Sequence, residues 1–277
     1  MKRLAWLTDI HLNFVSPDNV AVLVHQVQQG YPDAVFVGGD IGEADSFAGF
    51  LRRLVALLEL PIYFVLGNHD FYHGSITAVR EAARSLHRDS TQLHWLPDAD
   101  VIHLTDEATL VGHGGWGDGR IGNFLQSDVL LNDYALIQEL RQLHRPDAVS
   151  PESILTPKLL EKLRSLGDEA AEHLREVIPK ALEESGHVIV LTHVPPFQEA
   201  CWHQGQISDK NWAPHFTCQA VGDVLEEFMK LYPNRRMTVL CGHTHSSGQA
   251  QILANLEVLT GGAEYGQPRV QQILEIE

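Results

Sequence analysis

A chain of 277 residues, 44% hydrophobic and 20% charged, is long enough to bury a sizeable core and has the composition of a globular protein. Its formal net charge of −16 repels polyanions, which argues against a general nucleic-acid partner or an anionic membrane surface. The cysteines Cys201, Cys218 and Cys241 form no CxxC pair, which indicates a reducing compartment. Because the first apolar run ends at Asp9 and no long apolar stretch follows, the sequence predicts a soluble, cytoplasmic protein.

The first ninety residues alternate short apolar runs with segments of helical periodicity. The apolar runs, which predict buried strands, are 4–7, 34–37 and 62–66. The segments that predict helices are 19–29, 47–58 and 76–87. Such alternation is typical of a largely parallel sheet in a buried core.

The rest of the chain mixes further strands with a helical region. Further predicted strands are 101–104 with 109–111 as a hairpin, 188–191, 238–240, and short C-terminal strands within 252–276. Predicted helices are 128–143 and 157–184, the second interrupted at Gly167, with a proline-containing linker at 145–157. We therefore predict a single α/β domain over 1–277 with a helical insertion at 117–186.

Polar motifs follow five of the predicted strands. In open α/β sheets, ligands bind beyond the carboxyl ends of the strands, so these side chains are expected to meet. They offer oxygen and nitrogen but no thiolate, which favours Mn, Fe, Zn or Ni over a structural zinc site. A carboxylate such as Asp40 can bridge two ions, and two such ions are typical of phosphoester hydrolysis. The candidate metal ligands are Asp9, His11, Asp40, Asn68, His193, His243 and His245.

Each motif alone also has a structural interpretation. Asp9 and His11 can form a turn and a helix cap, and a Gly-Asp pair such as that ending at Asp40 is common in turns. His243 and His245 are spaced to lie on one side of an extended segment, which packing alone can explain. The prediction of a metal site therefore depends on all the motifs occurring together.

In this order and spacing the motifs resemble those of the calcineurin-like metallophosphoesterase superfamily, from residue 9 to residue 245. The matching residues are Asp9-x-His11, Gly39-Asp40, Gly67-Asn68-His69-Asp70, His193 and Gly242-His243-x-His245. The resemblance implies a two-sheet β-sandwich flanked by helices. It implies one metal held by Asp9, His11, Asp40 and His245. It implies a second held by Asp40, Asn68, His193 and His243.

The resemblance also implies a mechanism. A metal-bridging hydroxide attacks phosphorus in line, and the two ions neutralise the developing charge on a phosphomonoester or phosphodiester. His69 is the non-ligand histidine near the leaving group, where its protonated form donates to the leaving oxygen. Asp70 is expected to pair with His69 and to orient it.

The motifs depart from those of the protein serine/threonine phosphatase branch of this superfamily. Leu12 follows His11 where that branch has glycine, Asp70 stands in place of glutamate, and the Asp-Arg-Gly element after Asp40 is missing. The form is more similar to the phosphodiesterase and small-molecule phosphatase branches. A protein phosphatase and a non-catalytic binding module of the same fold remain the alternatives, although retention of every ligand argues against the module.

Three residues are candidates for binding the substrate, a small phosphoester. Arg120 can hold a phosphate oxygen bidentately, and Trp116 and Trp212 can stack on a base. A surface arginine and ordinary core aromatics are the competing interpretation. The sequence leaves open the physiological substrate, the choice between monoester and diester, the native metals and the oligomeric state.

Overall fold

The computed structural model describes residues 1–145 and 147–277. The strands, β1 to β13 in chain order, are Lys2–Leu7, Ala34–Gly38, Ile62–Val65, Leu93–Trp95, Ile102–His103, Ala108–Gly112, His187–Leu191, Trp202–His203, Gln206–Ile207, Arg236–Cys241, Gly248–Leu253, Leu256–Thr260 and Gln272–Ile276. The α-helices, α1 to α9, are Pro17–Gln29, Phe47–Leu58, Ile76–Asp89, Asp133–Leu136, Gln138–Arg141, Pro151–Ile154, Pro157–Glu184, Ala213–Phe216 and Gln219–Leu231.

In this described part of the chain, most strands form two sheets. One sheet has the order β13-β1-β2-β3-β4, and the other has the order β11-β12-β10-β7-β6-β5. Strands β1 to β4 run parallel to one another, as do β6, β7, β10 and β12, whereas β5, β11 and β13 pair antiparallel at the edges. The strands β8 and β9 form a separate small hairpin.

The two sheets pack face to face, and helices cover their outer faces. Phe36, Leu191 and Leu240 belong to the cluster of buried side chains that lies between the sheets. Helices α1 to α3 contribute their apolar stripes to the core of the first sheet, and α7 and α9 do so for the second. The predicted two-sheet sandwich flanked by helices is confirmed.

The predicted helix at 128–143 is wrong in its extent. Only α4 and α5 are helical there, and Ile137 between them is extended, with φ −94° and ψ 125°. The backbone on either side of Ile137 hydrogen-bonds outside the segment: the His73 N–H donates to the Leu136 carbonyl, and the Gln138 N–H donates to the Gly74 carbonyl. These tertiary bonds divide the helix that the apolar periodicity predicts.

Helix α7 continues through Gly167 without the predicted interruption. A Cβ at this glycine would lie 2.8 Å from the Cβ of Asp118, so the small residue permits a close contact with the loop at 118–120. The buried side chains of α7 enter the cores of both sheets. The interpretation of 117–186 as an insertion in a single domain stays a prediction.

Helix α9 and several short elements were not predicted from the sequence. Strand β4 and the hairpin of β8 and β9 were not predicted, and the expected linker at 145–157 contains helix α6, which begins after Ser150. Two or three residues are too few to show the alternation by which strands are recognised. None of the helices in the described ranges has the length and apolar character needed to cross a bilayer.

Candidate active site

Three loops at one edge of the first sheet bring acidic and amide groups together. Asp9 follows β1, Asp40 follows β2 and Asn68 follows β3, and these strands are parallel neighbours. Their carboxyl ends therefore meet at the same edge. The loops are tied together by the backbone, because the Asp9 N–H donates to the Gly39 carbonyl at 3.1 Å.

The second sheet brings the histidines to the same edge. His193 follows β7, whereas His243 and His245 follow β10, its parallel neighbour. Two hydrogen bonds cross between the sheets: His193 Nδ1 donates to the Gly38 carbonyl at 2.8 Å, and the backbone N–H of His243 donates to Asp9 Oδ1 at 2.9 Å. The candidate metal ligands from both sheets thus form one cluster.

The backbone at this cluster adopts an unusual conformation. Left-handed φ values occur at the five candidate ligands Asp9 (51°), His11 (40°), Asp40 (51°), His243 (70°) and His245 (58°). This region costs a residue with a Cβ on the order of 1–3 kcal/mol and concentrates at functional sites. The surrounding structure therefore holds these side chains in an orientation that local backbone preference would not select.

A first group of four ligand atoms converges from both sheets. One atom from each of the side chains Asp9, His11, Asp40 and His245 lies within 4.8 Å of the others. His11 Nε2 is 3.1 Å from His245 Nε2 and 3.7 Å from Asp40 Oδ2, and His245 Nε2 is 3.5 Å from Asp9 Oδ1. Burial, followed by the charges of neighbouring histidines, strongly lowers the pKa of His11, so its imidazole is neutral and available as a ligand.

A second group forms around the Asn68 amide. Asn68 Oδ1 lies 3.0 Å from His193 Nε2 and 2.9 Å from His243 Nδ1. The other nitrogen of each ring donates to a backbone carbonyl, Nδ1 of His193 to Gly38 and Nε2 of His243 to His215. In the neutral tautomers, both ring nitrogens that face Asn68 therefore carry lone pairs, and oxygen and nitrogen lone pairs point at one another.

Asp40 stands between the two groups. Its Oδ2 faces His11 Nε2, and its Oδ1 lies 3.4 Å from His193 Nε2. Burial, followed by the charges of Asp9 and Asp70, raises the pKa of the Asp40 carboxyl well above its usual range. Convergent acceptors without a compensating positive charge are unfavourable, so both groups fit bound cations of the class that oxygen and imidazole ligands select.

A residue that the sequence analysis missed fixes the Asn68 amide. Asp133, buried on α4, accepts hydrogen bonds on Oδ1 from Asn68 Nδ2 and from the Tyr72 hydroxyl, both at 2.8 Å. With its nitrogen bound to this carboxylate, the Asn68 amide turns its oxygen toward His193 and His243. In the sequence, Asp133 is one polar residue of an amphipathic segment, and nothing in that pattern indicates that it orients Asn68.

His69 lies beside the cluster without belonging to either group. Its ring stacks on Tyr72, with centroids 4.2 Å apart, and its Nδ1 has no hydrogen-bond partner among the described residues. Burial, followed by the charges of His193 and His245, lowers the pKa of His69 to about 3. The protonated His69 expected from the resemblance is therefore not the form that this environment favours at neutral pH.

Asp70 does not pair with His69, which corrects the expected arrangement. Its Oδ1 accepts the backbone N–H groups of Ile41 and Gly42 at 2.8 and 2.9 Å, and its Oδ2 accepts that of Gly67 at 2.9 Å. The carboxylate is fully buried. Asp70 therefore joins the loops that carry Asp40 and His69, and it acts on the site through the backbone.

A pocket of about 270 Å³ opens over the cluster. Trp212, one of the candidate substrate-binding residues, lines it. Trp116 instead packs in the core against Phe71, with ring centroids 5.5 Å apart. Arg120 is held by Asp118 and Asp168, at 2.9 and 2.7 Å, and does not line the pocket. The structure thus does not support the substrate-binding roles expected for Trp116 and Arg120.

Tyr265 is a further pocket residue that the sequence analysis missed. Its ring centroid lies 4.6 Å from that of His11 and 5.2 Å from that of His245. It lies between β12 and β13, where no periodic pattern or motif marks it. The loop that carries Tyr265 folds toward the cluster, where the Ala263 N–H donates to the His245 carbonyl. The position of Tyr265 in the pocket is therefore evident only from the structure.

A family model described as calcineurin-like phosphoesterase matches residues 2–247. The chain belongs to this family. The resemblance expected from the motifs is thereby confirmed.

Curated relatives are named UDP-2,3-diacylglucosamine hydrolase. The protein from Xanthomonas campestris pv. campestris is 26% identical over 184 residues, which cover 62% of this chain and 65% of the relative. The protein from Aeromonas hydrophila is 32% identical over 126 residues, which cover 39% of this chain and 46% of the relative. The chain therefore spans less than two thirds of the length of these relatives.

Solved structures share the fold. A phosphopantetheinyl hydrolase from Mycobacterium tuberculosis has a TM-score of 0.58 at 14% identity, covering 96% of this chain and 94% of that one. A dimetal phosphatase from Danio rerio has a TM-score of 0.56 at 14% identity, covering 94% of this chain and 87% of that one. At this identity the likeness establishes the fold alone.

Proposed function

We propose that this protein hydrolyses a small phosphomonoester or phosphodiester at a centre of two cations. The proposal rests on one observation. Two groups of ligand atoms lie side by side, and the carboxylate of Asp40 belongs to both. The first group is Asp9, His11, Asp40 and His245. The second group is Asp40, Asn68, His193 and His243.

When bound, two cations supply the Lewis acidity that neutralises phosphoryl oxygens and turns water into a nucleophile at neutral pH. The chain's own residues hold them, because the left-handed loops fix the carboxylates and the carbonyl bonds fix the tautomers of His193 and His243. Ions of Mn, Fe, Zn or Ni suit this donor set.

In this proposal His69 stabilises the leaving group. It lines the pocket beside the ligands, and a neutral imidazole still carries one N–H donor. A hydrogen bond from this donor to the leaving oxygen stabilises the charge that develops there. Tyr72 stacks on the ring and limits its orientation. Asp70 contributes by fixing the loop rather than by holding a proton.

The alternatives are weaker. A protein serine/threonine phosphatase would require a site open to a folded substrate, whereas aromatic and leucine side chains border this pocket of about 270 Å³. A non-catalytic module does not need the convergent ligands or the strained backbone that presents them.

The proposal is tested with metal-stripped protein to which Mn²⁺ is returned. We expect turnover of p-nitrophenyl phosphate or bis-p-nitrophenyl phosphate that requires the added ion, and the preferred compound separates monoesterase from diesterase. UDP-2,3-diacylglucosamine, named for the relatives, and a phosphopeptide are assayed in parallel. If protein with a full metal complement turned over none of these compounds, the proposal would be wrong.

A further inference from the structure

One side of the pocket is formed by aromatic rings. His203 lies on β8, Trp212 directly precedes α8 and Phe216 ends it. These three residues, which line the pocket, are here called the aromatic wall. Ring centroids lie 4.6 Å apart between His203 and Trp212, and 5.1 Å apart between Trp212 and Phe216. Phe216 contacts His243 edge to face at 5.1 Å. The aromatic wall is therefore in direct contact with a candidate metal ligand.

Uncharged side chains form a further border of the pocket. Tyr265 lies over His11 and His245, and Leu130 and Leu131 line the pocket beside Asn132. A cavity of about 150 Å³ is enough to hold benzene, so a pocket of about 270 Å³ has room for a ring group attached to the phosphoryl group.

The charges that line the pocket have one sign. Among the described lining residues none is lysine or arginine, and the acidic ones are Asp40 and Asp133. Arg120, which the sequence made a candidate for phosphate binding, is already paired with Asp118 and Asp168. A carboxylate or second phosphate in the leaving group would find no lysine or arginine side chain in this pocket with which to pair.

We propose that the pocket selects phosphoesters whose leaving group is an uncharged, planar, unsaturated ring that stacks on Trp212. This proposal rests on the proposed function and names its substrate class. Aromatic faces favour other aromatic rings in offset or edge-to-face contact over saturated rings of equal size, and base-like rings gain most. Trp212 is thus a specificity-determining residue.

The test uses three esters of similar leaving-group basicity: benzyl, cyclohexylmethyl and 4-carboxybenzyl phosphate. Each is prepared as a monoester and as the methyl diester, and each is assayed with the full-length, Mn²⁺-loaded protein. We expect kcat/KM for the benzyl ester to exceed that for the cyclohexylmethyl ester about tenfold, mostly through KM. The 4-carboxybenzyl ester is expected to be the poorest of the three.

Variants assign the selectivity to the aromatic wall. Trp212→Ala is expected to bring the benzyl to cyclohexylmethyl ratio close to one, and Trp212→Phe to restore most of it. Trp202→Ala is the matched control, because Trp202 neighbours His203 on β8 but lines a different cavity, with Gln249 and Gln251. It is expected to keep the wild-type ratio.

The outcomes separate the two proposals. If metal-loaded protein turns over none of the esters, both the proposed function and the proposed selectivity are wrong. If all three esters are turned over equally well, or if Trp212→Ala and Trp202→Ala leave the same ratio, the selectivity alone is wrong. Because the readout is a ratio of substrates for one protein, partial loss of folded protein does not change it.

Discussion

The side-chain nitrogen of Asn68 lies 2.8 Å from Asp133 Oδ1, so a residue of helix α4 determines which end of the Asn68 amide faces the histidines. The hydroxyl of Tyr72 donates to the same carboxylate oxygen at 2.8 Å. An amide can present either its oxygen or its nitrogen to a site, and only the oxygen can bind a cation. The segment that carries α4 is therefore coupled to the candidate metal centre.

We predict that Asp133→Ala weakens binding of one of two Mn²⁺ ions about 10–100-fold, because the Asn68 amide loses the partner that orients it. Metal content after dialysis at limiting Mn²⁺ measures this without reference to activity. Asp133→Asn, which keeps an acceptor oxygen, is expected to recover part of the affinity. Asp106→Asn, at an exposed position, is the control. Two ions bound to Asp133→Ala with wild-type affinity would refute the coupling.

Loss of the His69 side chain is expected to slow turnover without removing the metals. His69 lines the pocket but belongs to neither ligand group. His69→Ala should lower kcat about 10²–10³-fold, the usual cost of removing one hydrogen-bond donor to a developing oxyanion. Metal content should equal that of the wild type, and the exposed His25→Ala serves as control. Unchanged kcat would exclude a role for His69 in the reaction.

Asp70 is predicted to be important for stability. Removing its carboxylate leaves the buried N–H groups of Ile41, Gly42 and Gly67 without their acceptor. We expect Asp70→Ala to lower the free energy of unfolding of the metal-free protein by about 3 kcal/mol, and Asp70→Asn to cost less. Urea unfolding measures both. A change within about 0.5 kcal/mol for Asp70→Ala would contradict this account.

Stability should also depend on pH through His187, which begins strand β7, whereas the candidate ligand His193 follows the end of that strand. Its Nε2 lies 2.9 Å from the Thr238 hydroxyl, and burial, followed by the charge of Arg236, lowers its pKa to about 4. The unfolded chain takes up this proton near its usual pKa of about 6.5, whereas the folded protein does not. The stability that this neutral histidine contributes is therefore complete above pH 6.5 and is lost as the pH falls toward 4.

The measurement is the free energy of unfolding of wild type and of His187→Gln at a series of pH values. Between pH 7 and pH 5 the wild type should lose on the order of 1 kcal/mol more than the variant, because only the wild type carries this titration. Parallel profiles for the two proteins would show that His187 does not contribute.

Much of the sandwich could be predicted because its elements are locally encoded. The helix Phe47–Leu58 shows its buried stripe in the sequence, and the strand Ala34–Gly38 is an uninterrupted apolar run. The helix predicted around Ile137 is wrong because hydrogen bonds to residues distant in sequence determine the backbone conformation there. The interruption predicted at Gly167 follows from the low helix propensity of glycine, whereas its close contact with Asp118 exists only in the folded protein.

The candidate ligands were found from motifs at strand ends, whereas the residues that support them were not. Asp133 on α4 and Tyr265 on a loop are distant in sequence from the residues they contact, and no spacing rule connects them to Asn68 or to His11. The true partners of Asp70 are backbone groups, which no side-chain pattern records. Motifs at strand ends thus predict which side chains converge better than they predict what holds those side chains in place.

In the proposed function these side chains would hold two cations, and hydrolysis of the phosphoester would require both. The most direct test is a stepwise Mn²⁺ titration of the stripped protein, with bound metal and p-nitrophenyl or bis-p-nitrophenyl phosphate turnover measured on each sample. We predict that turnover reaches its full value only as the second ion per chain binds. Full turnover in metal-free protein, or after one ion per chain, would contradict the account.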